Sequence, residues 1–515
     1  MRFSALALIF CSAVASAQQM PWYDLGPRGW GDVYRYYAHA SQGNVFLSQG
    51  APPDGRALKW NPASGFHALG DSPGIRDQYV TGVAADGRAY GYDYGTAGDG
   101  TEQWTPWIAR AGGGRDLLGT YSFETHVSGV DSTGNVYISS FNWAAPPKLW
   151  DGTAVRDLAD VGPDNGMRGE VGSTYKVTPN GVLGRSQRVI DGIVFTESTY
   201  FTPTSGLHRI PFIGDPQGGD MFSMPRFADR HGHVFGLASG MGDENYVWDA
   251  RHGTRLITAQ NGTAMPSAYP QFEARDGSVF VQGFDGLHNG SFRWTEETGA
   301  VPLLVPGFAN ATIVQEDSIG RLYGESNTYT PFTILLNGTV VDLNVEVLAV
   351  AAGYNTTRFI RGYDSGEVIG GVSRSQGGAS GLFSWTLEGG VDLIEMPADI
   401  PDNFSSLLDE GMLFGGLHLF RAHWNEGNFG VQRDRMYLYQ RGMGLRDLRD
   451  FFDPALTAGW EFESVQSIDS TGLAVGQGTY QGQVRWYAFQ MVPEPGTWVA
   501  LGLGSMALMR RRKRG

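Results

Sequence analysis

Cysteine is all but missing from this 515-residue chain, which has only Cys11. A lone thiol closes no intramolecular disulfide. Charge is sparse too, at 18% of residues, and lysine supplies just four of the 38 basic groups. The balance is acidic, with a formal charge of −15. Such a surface repels nucleic acid, which is therefore not expected as a partner. No G-x-S-x-G elbow, H-E-x-x-H helix or phosphate-cradling glycine loop occurs, and no three-residue glycine period marks collagen. What abounds is glycine, with 74 residues, about twice the usual share. Aromatics reach 12% and hydrophobic residues 41%, enough to bury a core. Glycine with aromatics suits many short strands joined by tight turns, as in an all-β protein.

The two ends carry an address. Arg2 precedes an apolar run that closes on Ala15-Ser16-Ala17, so 1–17 reads as a signal peptide and Gln18 as the mature start. Cys11 lies inside that segment, after Ile9 and Phe10 rather than the small residues a lipidation site wants. The exported chain then has no cysteine, hence no disulfide and no thiol nucleophile. At the other end, Val492-Pro493-Glu494-Pro495 precedes an uncharged run from Trp498 to Met509, followed by Arg510, Arg511, Arg512, Lys513 and Arg514. Basic residues resist transfer and stay cytoplasmic while the bulk of the chain lies outside. The run has 12 residues, short of the roughly 20 that span a bilayer comfortably. It reads as a transient membrane stop.

The box, the apolar stretch and the arginine cluster together resemble the PEP-CTERM sorting signal of Gram-negative bacteria. The resemblance covers 492–515 and implies processing near the box by an exosortase-type enzyme, with delivery to the cell surface or extracellular matrix. It gives Ala15, Ala17, Val492, Pro493, Glu494, Pro495, Arg510, Arg511 and Arg512 to sorting and processing. An ordinary carboxy-terminal anchor is the alternative. Without Arg2 and the five terminal basic residues, 32 basic groups face 53 acidic ones, a charge near −21.

Between the ends the chain repeats itself. A short apolar strand meets an Asp/Asn-Gly turn, and a second strand and a variable loop follow. A third strand centred on an aromatic then leads through another Gly turn to a fourth, often ending in Asp-Leu. The first-turn glycines are Gly43, Gly87, Gly134, Gly181, Gly232, Gly277, Gly320, Gly366, Gly411 and Gly472, at intervals of 44, 47, 47, 51, 45, 43, 46, 45 and 61. Trp60, Trp107, Trp150, Trp248, Trp294, Trp385 and Trp486 mark the third strand, with Phe201, Leu335 and Tyr437 standing in elsewhere. Four strands in about 46 residues is the arithmetic of a β-propeller blade. The tenth unit lacks a fourth strand, and "PWYDLG" at 21–26 reads like the "RDLLG" of 115–119. These features predict a β-propeller of about ten four-stranded blades over 18–491, its amino-terminal strand closing the last blade. One ring is favoured over two smaller propellers, with helix only in the signal peptide and the tail.

The stretches "SFRWTEETGAVPLL" (291–304) and "LFSWTLEGGVDLI" (382–394) also resemble the HAF family of extracellular repeats, with its AFxW…G…DLG core. That resemblance implies an exported propeller-like fold and no established chemistry.

In such a blade the tight glycine turns share one face, which reads as structural, and the variable insertions share the other. Trp143, and Phe420, His423 and Trp424 in the long insertion 417–433, are candidate ligand-face residues, since rings stack on sugars while polar neighbours take hydroxyls. Packing of those rings against their own blades is the competing reading. His231 and His233 flank Gly232, but no neighbouring repeat offers the further ligands a metal needs. No catalytic residue, metal ligand or cofactor site is assigned. The chain is expected to be an exported, surface- or matrix-destined, non-enzymatic binding or structural protein. Its expected partners are an exosortase-type enzyme, extracellular polysaccharide, and the membrane through its tail before processing. The alternatives are a secreted glycan-active hydrolase or lyase and a protein–protein interaction module.

Overall fold

The computed structural model describes residues 20–491 apart from 29–36, 50–54, 71–76, 141–144, 161–171, 179, 191–192, 212–220, 240–243, 375–377, 395, 398–399, 401–405, 415 and 427–430. The Asp-x-x-Gly turns show how the sequence dictates local structure. Asp131 turns its carboxylate back over its own loop, accepting from the Thr133 and Asn135 amides at 2.9 and 3.0 Å and from the Tyr137 hydroxyl at 2.8 Å. Asp317 does the same for the amides of Ile319, Gly320 and Arg321 and for the Tyr323 hydroxyl. Asp229 and Asp469 hold their turns likewise. Amides at a tight turn need such partners, and a short acidic side chain supplies them. The closing glycines take φ of 91° at Gly134, 87° at Gly232 and 102° at Gly320, which a β-carbon resists. Gly411, expected in this set, lies instead within the strand Ser406–Phe414, and the turn beyond it uses Gly416 at φ 81°.

A second glycine follows the turn by four positions in five units: Gly91, Gly236, Gly324, Gly370 and Gly476. Each faces a β-bulge in the preceding strand, as between Val80 and Gly82 or Ile313 and Gln315. A β-carbon there would strike a carbonyl of the bulged strand, from Tyr79, Met224, Thr312, Arg358 or Ser464 respectively. It would also strike a ring of the third strand, from Trp107, Tyr246, Phe332, Phe383 or Tyr487. The missing side chain makes room for the aromatic one. The rings then join apolar clusters between neighbouring sheets, such as Phe46, Val80 and Trp107 or Phe462, Tyr487 and Met436.

Among the described residues the strands form nine sheets. Seven hold four consecutive strands each. In an eighth, Trp22–Pro27 pairs antiparallel with Gln483–Gln490, beside Leu473–Tyr480 and Trp460–Ile468. The ninth is eight-stranded. There the hairpin of Gly181–Ile190 and Ile193–Thr202, ten residues per strand, outruns its unit. The second of those strands therefore reaches Met221–Ala228 and pairs with it in parallel, through Phe195 with Met221 and Thr196 with Phe222.

This corrects the expected closed β-propeller, whether as one ring of ten blades or as two smaller ones. The strands make several separate small sheets, and none is closed into a ring or strongly curled. The repeat period places most of the turns, though not those at Gly181 and Gly411, which lie within strands. It does not fix which neighbour a long strand will pair with.

Helix is expected only in the signal peptide and the tail, yet the described residues hold it between them. Val345–Ala351 is an α-helix, and the 61-residue interval ending at Gly472 holds a 3-10 turn, Leu448–Phe451, and a helical turn, Pro454–Thr457. Asp447 and Asp453 cap these last two by accepting from the amides of Arg449 and Ala455 at 2.8 and 2.9 Å. No described helix is long and apolar enough to cross a membrane. The expected transmembrane character is thus not shown, and 492–515 lies outside the described residues.

Candidate functional site

Among the described residues, a close meeting of titratable groups lies on the tight-turn side, where two neighbouring units abut. Asp229, in the first turn of one unit, has its side chain wholly buried and accepts from the backbone amides of His231 and His233. Its second oxygen takes His233 Nδ1 at 2.7 Å. That contact orients the imidazole and leaves Nε2 facing Glu296, 3.3 Å away. The ring of Trp294 backs it edge-on at 5.2 Å.

The next turn supplies Asp249, which accepts from the amides of Arg251 and His252 at 2.8 Å each. His252 Nδ1 stands 3.1 Å from Asp249 and 3.4 Å from Glu296. Glu296 comes from the following sheet, just past the strand Asn289–Thr295. Arg255 joins the two acids, with Nη1 2.5 Å from Asp249 and Nη2 on Glu296. Asp229, His233, Asp249, His252 and Glu296 open on a cleft of about 790 Å³ that Thr202, Ser205 and His208 also line.

Charge compensation governs the cleft. Burial alone would push the Asp249 carboxyl up, but Arg255, His252 and the Arg251 amide outweigh it and hold the acid well below the usual carboxylate range. Burial alone would push His233 down. The hydrogen bond to Asp229 and the charges of Asp229, Glu296 and Asp249 win instead, so His233 titrates above the ordinary histidine value. One nitrogen and two carboxylate oxygens, from His233, Asp249 and Glu296, lie within 4.8 Å of one another. A neighbouring unit thus does offer His233 further ligand atoms, which the order of residues along the chain concealed.

The residues singled out from the sequence are placed elsewhere. Phe420 is wholly buried and Trp424 is 9% exposed, both on the strand Leu417–Glu426 and within one apolar cluster. His423 hydrogen-bonds Asp434 at 2.7 Å, and Arg435 lies over the Trp424 ring at 5.7 Å. Trp424, Asp434 and Arg435 border a separate cleft of about 210 Å³. Trp143, Ala15, Ala17, Val492, Pro493, Glu494, Pro495, Arg510, Arg511 and Arg512 lie outside the described residues. The signal that would have found Asp249 and Glu296 is positional. Both follow a third-strand tryptophan, Trp248 or Trp294, by one or two residues, and so sit at the same end of adjacent sheets.

Comparison with known families finds the PEP-CTERM protein-sorting motif over residues 492–514. Nothing found supports the resemblance to HAF repeats. No curated protein matches the chain. Among solved structures it is similar to a prolyl endopeptidase studied for inter-domain dynamics, at 12% identity and a TM-score of 0.30, covering 85% of this chain and 58% of that one. It is similar to dipeptidyl peptidase 4 of Porphyromonas gingivalis at 10% identity and 0.32, covering 78% and 65%. A eukaryotic initiation factor gives 8% and 0.38, covering 84% and 96%. The chain thus spans under two thirds of either peptidase, and likenesses at these scores establish neither a shared architecture nor a shared activity.

Proposed function

We propose that this chain is an exported surface or matrix protein that binds extracellular polysaccharide without transforming it. Export and exosortase-type sorting rest on the motif at 492–514. The finer reading is that the tail is held at the membrane until it is processed near Pro493-Glu494-Pro495.

Binding rather than catalysis is supported by one observation, the Arg255 guanidinium shared between Asp249 and Glu296. A glycosidase needs one carboxyl kept protonated as a general acid. Asp249 is held in the opposite direction and so does not supply that acid. A cleft that sets the rings of Tyr200, Trp248 and Trp294 beside hydroxyl and imidazole groups suits a hydroxylated polymer.

A glycan array probed with the purified chain tests the reading, with reducing-end release assayed on the same polymers. Retention of a polysaccharide with no release is expected. Release would make the chain an enzyme, and retention only of a purified surface protein would make it an interaction module. Sorting is tested separately by deleting 493–515, after which the protein is expected in the medium or misplaced. An unchanged location would refute the sorting role.

A further inference from the structure

We propose that His233, His252, Asp249 and Glu296 form a binding site for one divalent cation of the zinc class. The proposal does not depend on which polymer the cleft takes. Zinc accepts imidazole nitrogen and carboxylate oxygen at about 2.0–2.2 Å, usually as a tetrahedron, so ligand atoms sit about 3.3–3.5 Å apart. The spacings here are 3.3 Å from His233 Nε2 to Glu296, 3.4 Å from His252 Nδ1 to Glu296 and 3.1 Å from His252 Nδ1 to Asp249. Little more than side-chain rotation separates them from a coordination shell.

His233 is set up as a ligand. Its Nδ1 is committed to Asp229, whose other oxygen is committed to two backbone amides. A carboxylate behind a histidine in this way fixes the tautomer that presents the Nε2 lone pair and strengthens it as a donor. The remaining ligands come from two turns on adjacent sheets, so the site is assembled by packing. The cleft of about 790 Å³ provides an entry path.

Arg255 is the cation that now neutralises both acids. Its side chain is 29% exposed, so it can swing into solvent when a metal takes its place. Arg255 is therefore a competitor for the site and not part of it.

Calorimetric titration of the full chain with Zn²⁺ tests this, with Co²⁺ absorption reporting coordination geometry. One equivalent of Zn²⁺ and a tetrahedral Co²⁺ spectrum are expected. His233→Ala and Glu296→Gln should each weaken binding at least about tenfold, and Asp229→Asn about ten- to a hundredfold. Arg255→Ala should bind as tightly as the parent or more so. Glu296 is a third exposed, so Glu296→Gln is expected to keep the parent's thermal melt and thereby separates loss of ligation from loss of fold. The proposal is overturned by no stoichiometric uptake in the parent, by unchanged uptake in His233→Ala and Glu296→Gln, or by weaker uptake in Arg255→Ala.

Discussion

The guanidinium of Arg485 grips both carboxylate oxygens of Asp24, with Nε 3.1 Å from one and Nη2 2.7 Å from the other, across 461 residues of chain. The pair fastens the strand Trp22–Pro27 to Gln483–Gln490. Beside it Leu25 is 1% exposed in a cluster with Val475 and Trp486, and the Trp486 indole N–H donates to the Ser48 carbonyl at 3.1 Å.

Leu25 should matter more than the ion pair next to it. Asp24 and Arg485 are 33% and 20% exposed, so Asp24→Ala should cost under about 1 kcal/mol. Leu25→Ala opens a cavity in a packed cluster and should cost about 2–5 kcal/mol. Urea unfolding of both variants gives the comparison, and equal losses would contradict it.

Two glycines with different burdens should respond differently. Gly43 has φ 74° and open space around an added β-carbon, so Gly43→Ala should cost about 1 kcal/mol through backbone strain alone. At Gly476 the β-carbon meets the Ser464 carbonyl and the Tyr487 ring. Gly476→Ala should cost about 1–3 kcal/mol or more by overpacking, and Gly476→Ala with Tyr487→Leu should recover part of that loss. Denaturation midpoints of the three variants decide the matter.

Acid should weaken the turns in a defined window. Burial alone would raise Asp131 and Asp317, yet hydrogen bonds from Thr133, Asn135 and Tyr137 hold the first below the usual range, and Arg321 with Tyr323 hold the second. A carboxyl lowered in the folded state contributes stability that is complete above its unfolded value of about 3.9 and lost as pH falls through its folded one. Melting temperature should therefore drop below about pH 4. Asp317→Asn should be less stable at neutral pH and show a shallower acid limb. A limb as steep as the parent's would remove Asp317 from the account.

A second, milder acid effect belongs to buried imidazoles. Burial pushes His39 and His126 below the ordinary histidine value, with a Thr81 backbone hydrogen bond partly opposing this at His39. On acidification from about pH 6.5 the unfolded chain takes up protons that the folded chain resists, so stability falls as pH falls. His39→Gln together with His126→Gln should flatten the profile between about pH 7 and 5.5. Proton uptake on unfolding, measured by calorimetry in two buffers, gives an independent check.

Much of the local structure was legible along the chain. Asp-x-x-Gly names its own turn, because the carboxylate that satisfies the amides and the glycine that accepts positive φ are neighbours in sequence. The third-strand aromatics at Trp107, Trp248, Trp294 and Trp486 are equally plain and are buried. The second glycine set was legible too, four residues after the turn, but its purpose needs the bulge and the ring that meet there. The insertion at 417–433 misleads for a related reason. Its rings read as an exposed loop, whereas Leu417–Glu426 and Val431–Gln440 extend as paired strands and bury Phe420 between sheets.

By itself, then, the sequence determined the sorting address of this protein, its mostly β-strand character and the places where most of its hairpins turn. Each depends on residues within a few positions of one another. Tertiary structure decided which strands pair across units, as when Phe195 meets Met221 and two units share one sheet, and it left the sheets without a closed ring. It also decided that His233, Asp249 and Glu296 converge. Both outcomes follow from packing between units, where the partner is set by strand length and sheet position, and no short stretch of sequence records either.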